Sequence, residues 1–133
     1  MGNPSVAFAL AAAALALSAA AARADPMQVA VLQALDKVSA RISVLEVPVG
    51  KMVAFGTLEI TARACDKRPP EETPESAAFL EIVEKRPGER PATPFIGWMF
   101  ASSPALSAME HPIYDVWVLD CKNPSTASGG TSP

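Results

Sequence analysis

Short apolar stretches separated by turn-forming residues recur along the chain after its first 24 residues. Several of them alternate apolar and polar side chains with a period of two, which is typical of half-buried β-strands. A helical period of ten or more residues is absent there, except around Pro26–Val38. The pattern predicts six or seven short strands, at Val29–Leu35, Arg41–Val47, Met52–Phe55, Thr57–Ala64, Ala77–Val83, Phe95–Phe100 and Ile113–Leu119.

The segments between these strands are rich in proline and charge. Residues 66–76 and 84–91 predict exposed loops, because proline removes backbone donors and fixes φ. Ser103 as a cap, followed by Pro104, predicts one short helical turn before the last strand. We therefore expect an all-β fold: one small domain at residues 25–122, a sandwich or barrel of six to seven antiparallel strands. The Ser/Thr/Gly/Pro tail at 123–133 is predicted to be disordered.

The first 24 residues have the pattern of a signal peptide. A continuous apolar run of about 15 residues is too short to span a bilayer comfortably. It ends at small side chains, Ala22 and Ala24, which predict cleavage between Ala24 and Asp25. The segment before the run lacks Lys and Arg, which does not fit the usual signal-peptide pattern. The alternative interpretation is an uncleaved N-terminal anchor. We expect an exported protein whose mature chain has no transmembrane span.

Charge and composition exclude several classes of function. The net charge is −3, from 11 Lys and Arg against 14 Asp and Glu, which argues against nucleic acid and anionic lipid as partners. One His and two Cys are too few for most self-contained zinc sites. We expect no cofactor and no metal.

Cys65 and Cys121 are the only cysteines, and an oxidising compartment predicts that they form a disulfide. The bond would close a loop of about 55 residues and stabilise the fold by about 4 kcal/mol in the chain-entropy treatment. A reactive free thiol is the alternative. Strand phase places Cys65 on the polar face with Glu59 and Arg63, and Cys121 in phase with Trp117. Either a bulge intervenes or the bond lies at strand ends outside the core.

Both tryptophans, the only Tyr and the only His lie between residues 95 and 117. Strand alternation puts Ile96, Trp98 and Phe100 on one face, and Phe95 and Met99 on the other. One interpretation places Trp98 and Trp117 in the core of adjacent strands. The other is a binding face composed of Trp98, Phe100, Ser102, Ser103, His111, Tyr114 and Trp117.

Catalytic and metal-binding interpretations are weaker. Ser102 or Ser103 with His111 and Asp115 has the residue types of a hydrolase triad, but no G-x-S-x-G elbow is present. His111 with Met99 or Met109 has the ligand types of a soft metal site, without close spacing. The acidic residues Glu71, Glu72 and Glu75 fit a solvated loop. We therefore expect a protein that is not an enzyme.

Several motifs resemble a bacterial family known as domain of unknown function 2155. The longest is Gly97-Trp98-Met99-Phe100-Ala101-Ser102-Ser103-Pro104-Ala105-Leu106, followed by Glu110-His111-Pro112-x-Tyr114-Asp115-x-Trp117 and Cys121. Shorter matches are Val47-Pro48-Val49-Gly50, Phe55-Gly56-x-Leu58, Arg63-Ala64-Cys65 and Arg68-Pro69-Pro70. The resemblance covers about residues 40–122. It implies a small exported protein of Gram-negative bacteria, hence a periplasmic one, and it implies no catalytic residue, substrate or cofactor.

The sequence thus favours a periplasmic, non-catalytic interaction module that binds a protein partner in the cell envelope or in a membrane complex. A binder of small molecules or glycans with an aromatic face is the second hypothesis. A Ser/His hydrolase is the third. The sequence leaves the partner and the oligomeric state open.

Overall fold

The computed structural model describes residues 24–124, which form eight β-strands. The strands are β1 (Asp25–Pro26), β2 (Val29–Asp36), β3 (Arg41–Pro48), β4 (Met52–Phe55), β5 (Leu58–Lys67), β6 (Ser76–Glu84), β7 (Ala92–Phe100) and β8 (Tyr114–Lys122). All seven predicted strands are present, within three residues of their predicted ends, so the all-β prediction is confirmed. The predicted signal peptide, apart from Ala24, and the tail from residue 125 lie outside the described residues.

The strands form two antiparallel sheets that pack face to face as a sandwich rather than a closed barrel. In sheet A, β5 pairs with β6 along one edge and with β4 and β1 along the other, and β7 extends the sheet beyond β6. Sheet B has the order β3-β2-β8. Both sheets contribute alternate residues to one shared core, as expected for a two-layer β-domain.

The core is built from small and aliphatic side chains. Four alanines, one or two from each of three strands, are completely buried: Ala30, Ala34, Ala62 and Ala78. The larger fully buried side chains are Leu32, Val47, Leu58, Ile60, Leu80, Ile82 and Val118. Each of these larger side chains stabilises the fold by about 1.5–3 kcal/mol through burial. No Trp or Phe of the described residues belongs to the fully buried set.

A disulfide between Cys65 and Cys121 joins the two sheets through this core. The two Cα atoms are 5.6 Å apart, and both cysteines are essentially inaccessible. Cys65 belongs to β5 in sheet A and Cys121 to β8 in sheet B. The predicted pairing is therefore confirmed, and the bond lies inside the core rather than outside it.

Two β-bulges turn the cysteines inward. In β5, Ala62 pairs with Leu80 and Ala64 with Phe79, so Arg63 is an extra residue that shifts the alternation. In β8 the register shifts in the same way at Leu119. Each extra residue precedes its cysteine by two positions and is exposed. The bulge alternative is the correct one, and Cys121 is out of phase with Trp117.

Two smaller features depart from the sequence prediction. The pattern missed β1, whose two residues pair with Asp66 and Lys67 at the end of β5. The predicted helical turn is present as one 3-10 turn at Pro104–Leu106, but the Ser103 side chain does not cap it. The described residues contain no helix with the length and apolar character that a membrane span requires.

Gly56 makes room for the side chain of Tyr114 at the tight turn between β4 and β5. Its φ of +58° is favourable for glycine, as at the first position of a two-residue hairpin loop. A Cβ atom on Gly56 would lie 2.3 Å from the Tyr114 Oη atom. The Tyr114 ring packs edge-on against Phe55, with ring centroids 5.6 Å apart. The turn therefore determines how the start of β8 packs against sheet A.

Deletion of Arg63 should preserve both the fold and the disulfide, because this residue is the extra one in its strand. We expect a loss of unfolding free energy of about 1 kcal/mol or less, from its exposed ion pair with Glu81. Deletion of Thr61 is the matched control, since it forces the Arg63 charge toward the core and should cost several times more. Urea denaturation and thiol titration measure both effects. Equal damage from the two deletions would contradict the bulge assignment.

Substitution of Gly56 by alanine should destabilise the protein by about 2–4 kcal/mol, through positive φ and the clash with Tyr114. Gly88→Ala is the control, because Gly88 also has positive φ but nothing lies within 4 Å of its added Cβ. That variant should lose about 1 kcal/mol. Thermal unfolding followed by circular dichroism compares the two, and similar melting temperatures would refute the role of Tyr114.

Candidate functional site

Aromatic and aliphatic side chains cover the outer surface of sheet A on β6 and β7. Phe79 pairs with Trp98 across the two strands, and their rings meet edge-on with centroids 5.6 Å apart. Ile96 and Phe100 flank Trp98 on the same surface, two residues away on either side. We call this set of four residues, Phe79, Ile96, Trp98 and Phe100, the Trp98 face.

The Trp98 face is accessible although its residues are strongly apolar. Ile96 is 61% exposed and Trp98 is 38% exposed. Met99, the neighbour of Trp98 in the chain, is 2% exposed and belongs to the core, as strand alternation predicts. The interpretation of Trp98 as a core residue is therefore wrong. An exposed Trp side chain with exposed apolar neighbours is typical of the residues that anchor binding interfaces.

A cavity of about 370 Å³ opens beside Trp98 and Phe100. Asp66, Arg68 and Glu75 contribute charged groups to its wall. All three lie in the segment 66–76, which the sequence predicts to be an exposed loop, with no sign that it lies beside the aromatic segment. The cavity thus combines an aromatic floor with charges of both signs.

Glu75 holds the chain that follows β7. Its carboxylate accepts hydrogen bonds from the Ser102 N–H and the Ser76 N–H, at 3.1 and 3.0 Å, and from the Ser102 hydroxyl. Partial burial opposes ionisation of Glu75, but these hydrogen bonds outweigh it and lower the pKa of the carboxyl group. Ser102 is therefore engaged in holding a loop, and Ser103 next to it is exposed.

A second apolar surface lies on the outside of sheet B. Trp117 belongs to it, next to Gln33 on β2, with Leu119 beyond it. On β3, Ile42 and Val44 are 57% and 60% exposed on the same surface. The two tryptophans thus face opposite directions, one on each outer sheet surface. The predicted binding face of seven residues is not assembled as one surface.

His111 and Tyr114, which the prediction placed on that face, are buried at the seam between the sheets. The His111 Nδ1 atom accepts hydrogen bonds from the N–H groups of Ile113 and Tyr114, at 3.0 and 3.1 Å. The ring proton therefore lies on Nε2, which donates to Glu84 Oε2 at 2.9 Å. Both ring nitrogens are occupied within the fold.

The Glu84 carboxylate has three hydrogen-bonding or ionic partners where the two sheets meet. Besides His111, the Thr57 hydroxyl donates to Oε2 at 2.9 Å and Arg86 Nε lies 3.2 Å from it. Burial disfavours the charged form of Glu84, but the hydrogen bonds outweigh burial and place the pKa below its ordinary value of 4.5. No sequence motif singles out Glu84, because Thr57 and His111 are each 27 residues away from it.

The residues of the predicted hydrolase triad are not arranged as a triad in the described part of the chain. Ser102 bonds to Glu75, His111 bonds to Glu84, and Asp115 forms an ion pair with Lys37 at 3.1 Å. The three members of the predicted triad thus have separate partners. Residues 24–124 contain no group of three or more His, Cys, Asp or Glu side chains arranged to hold a metal ion.

A larger cavity of about 830 Å³ lies where β2 begins and β3 and β8 end. Its wall includes Glu46, Lys51 and Lys122 but no aromatic side chain. We therefore consider the Trp98 face and its cavity the better candidate site.

Glu84→Gln should reduce the unfolding free energy at pH 7 by about 1 kcal/mol, since neutral hydrogen bonds replace charged ones. The lowered pKa of Glu84 means that this stabilisation is present above about pH 4.5 and is lost as the pH falls through the folded-state value. The difference from the native protein should therefore shrink in acid. Glu46→Gln, in an exposed pair with Lys122, is the control and should have little effect. Urea denaturation between pH 3 and 7 tests this, and a constant difference would contradict it.

Comparison with known proteins places these features in a bacterial family. A protein of Rickettsia prowazekii (strain Madrid E), described as "Uncharacterized protein RP359", is 33% identical over 88 residues, which are 66% of this chain and 57% of the relative. The chain thus matches little more than half of the relative's length. No solved structure gives a significant match. Residues 30–121, from β2 to Cys121 in β8, match a family described as "Uncharacterized protein conserved in bacteria (DUF2155)", and the chain belongs to this family.

Proposed function

We propose that this protein is an exported, periplasmic interaction module that binds a protein partner in the cell envelope through the Trp98 face. The observation that carries the proposal is the exposure of Trp98 and Ile96 on a sheet surface whose inner side is already packed. Apolar surface of this kind is costly to leave in water, and a partner removes it.

The composition of the face favours a protein as the partner. Protein interfaces are enriched in aromatic side chains and depleted of charge at their centres. The four residues of the Trp98 face carry no charge, while Arg63 and Glu81 form an ion pair on the same side of the sheet. An apolar centre beside paired charges matches the usual arrangement of a core and a polar rim.

Two observations support export. The apolar first segment ends in small residues that suit signal peptidase at Ala24 and Asp25. The disulfide between Cys65 and Cys121 is characteristic of an oxidising compartment. Purification from the periplasm of a chain that starts at Asp25 is the expected result for an exported protein.

A second candidate function is the binding of a small molecule or glycan in the cavity beside Trp98. The cavity has an aromatic floor and the charged groups of Arg68 and Glu75 in its wall. This combination is typical of a site for a polar small molecule. This candidate predicts a change in tryptophan fluorescence on addition of cell-wall fragments, and the change should disappear in Trp98→Ala.

A photo-crosslinking amino acid at Ile96, with a tag after the last residue, should capture a reproducible envelope protein in living cells. The same probe at Val44, equally exposed but on sheet B, is the control and should not capture that protein. Trp98→Ala should abolish the crosslink from position 96, because the anchor side chain is lost. Crosslinked products are identified by mass spectrometry.

Circular dichroism must show that the Trp98→Ala protein is folded, which we expect for an outward-facing side chain. Identical crosslinks from positions 96 and 44 would mean non-specific contact. A folded Trp98→Ala protein that still captures the partner would refute the Trp98 face as the binding surface.

A further inference from the structure

The strand that carries Trp98 also ends sheet A, and its outer edge is open. Within residues 24–124, β7 pairs with β6 alone. Ala101 N–H donates to Ser76 C=O at 2.8 Å, which continues the ladder between the two strands. Since bonded residues alternate along an antiparallel strand, Gly97 and Met99 bond to β6. Ile96, Trp98 and Phe100 therefore direct their N–H and C=O groups toward the open edge, where the Phe100 C=O also accepts from the Ser103 N–H at 3.3 Å.

Open edges are normally protected against pairing, and β7 differs from the other long edge strands in this respect. The strand β3 carries Arg41 and Glu46, and β8 carries Asp115, Asp120 and Lys122. The nine residues of β7 carry no charge. Its one protective residue, Pro94, lies near the start of the strand, so six residues from Phe95 to Phe100 are unprotected.

We propose that a second copy of this chain pairs with that edge, β7 against β7 in antiparallel orientation, about a two-fold axis at Trp98. This inference concerns the strand edge and goes beyond the proposed binding of a partner to the outer face. In that register Trp98 lies opposite Trp98 of the other copy, and Ile96 lies opposite Phe100. Each of these three residues both donates and accepts a backbone hydrogen bond across the axis. The Phe100 C=O, which accepts from the Ser103 N–H within its own chain, uses its second lone pair for this bond.

The lack of charged side chains on β7 favours a second copy of this chain as the partner of its open edge. Pairing about a two-fold axis places the residues of β7 opposite residues of the identical strand in the other copy. A charged side chain near the axis would therefore face the same charge at close range. The segment from Phe95 to Phe100 contains only apolar residues and Gly97. It presents no such repulsion, and aromatic cross-strand pairs stabilise antiparallel sheets.

This pairing brings the Trp98 faces of the two copies together. A two-fold axis perpendicular to the sheet keeps the outer surfaces of both copies on the same side. The two faces then merge into one apolar surface around paired tryptophans. The partner of the proposed function would meet a surface twice as large, without any loss of the exposed side chains to the edge contact.

Sedimentation velocity on the purified full chain, over a concentration series, should give the mass of two copies at high concentration. Ile96→Pro removes an N–H that makes no bond inside one chain, and it should weaken self-association by at least about tenfold. Ile96→Ala is the matched control, because it removes the side chain but keeps the N–H, and it should still dimerise. A single-chain mass throughout, or equal dimerisation of the two variants, overturns the proposal.

A second measurement does not depend on the folding of the proline variant. The native disulfide leaves no free thiol among the described residues, and both cysteines of the chain take part in it. Trp98→Cys therefore provides a sole thiol at the axis, which should form an intermolecular disulfide under mild oxidation. Val44→Cys, exposed on sheet B, should not. Failure of the Trp98→Cys protein to crosslink overturns the proposal, whereas a monomer that still captures an envelope partner from position 96 leaves the proposed function standing.

Discussion

The bond between Cys65 and Cys121 is the constraint on which the rest of this structure depends. A disulfide between two sheets requires both cysteines to point into the core, at positions where regular alternation would turn at least Cys65 outward. The bulges at Arg63 and Leu119 meet this requirement. They also separate the phase of Cys121 from that of Trp117. Trp117 can therefore lie on the outer surface while Cys121, four residues later, is fully buried.

The small core explains why the aromatic residues are outside. Buried alanines such as Ala30 and Ala62 leave no space for an indole ring between the sheets. The Trp side chains consequently cover the outer sheet surfaces, where each lies among other apolar groups. The aromatic side chains of the proposed binding surface are therefore ones that this aliphatic packing leaves outside the core.

Seven of the eight strands followed from the sequence, because each is long enough to show alternation and is bounded by proline, glycine or charge. The strand β1 did not, since two residues cannot display a period. The division of Ile96, Trp98 and Phe100 from Phe95 and Met99 was also predicted correctly. Which of the two sets faces water was not, because both are apolar. Glu84 and its link to His111 escaped the sequence analysis, since their partners are separated by 27 residues and no motif connects them.

The sequence by itself determined the all-β class, the strand positions and the identity of the cysteine pair, because these follow from local periodicity and from the presence of only two cysteines. Tertiary structure alone decided which surface each strand shows to solvent. A strand that is apolar on both sides has no inward direction until a second sheet covers one of them, and a bulge can reverse the direction within a strand. For this reason the aromatic segment, continuous in sequence, is distributed in the fold between two opposite surfaces and a buried seam.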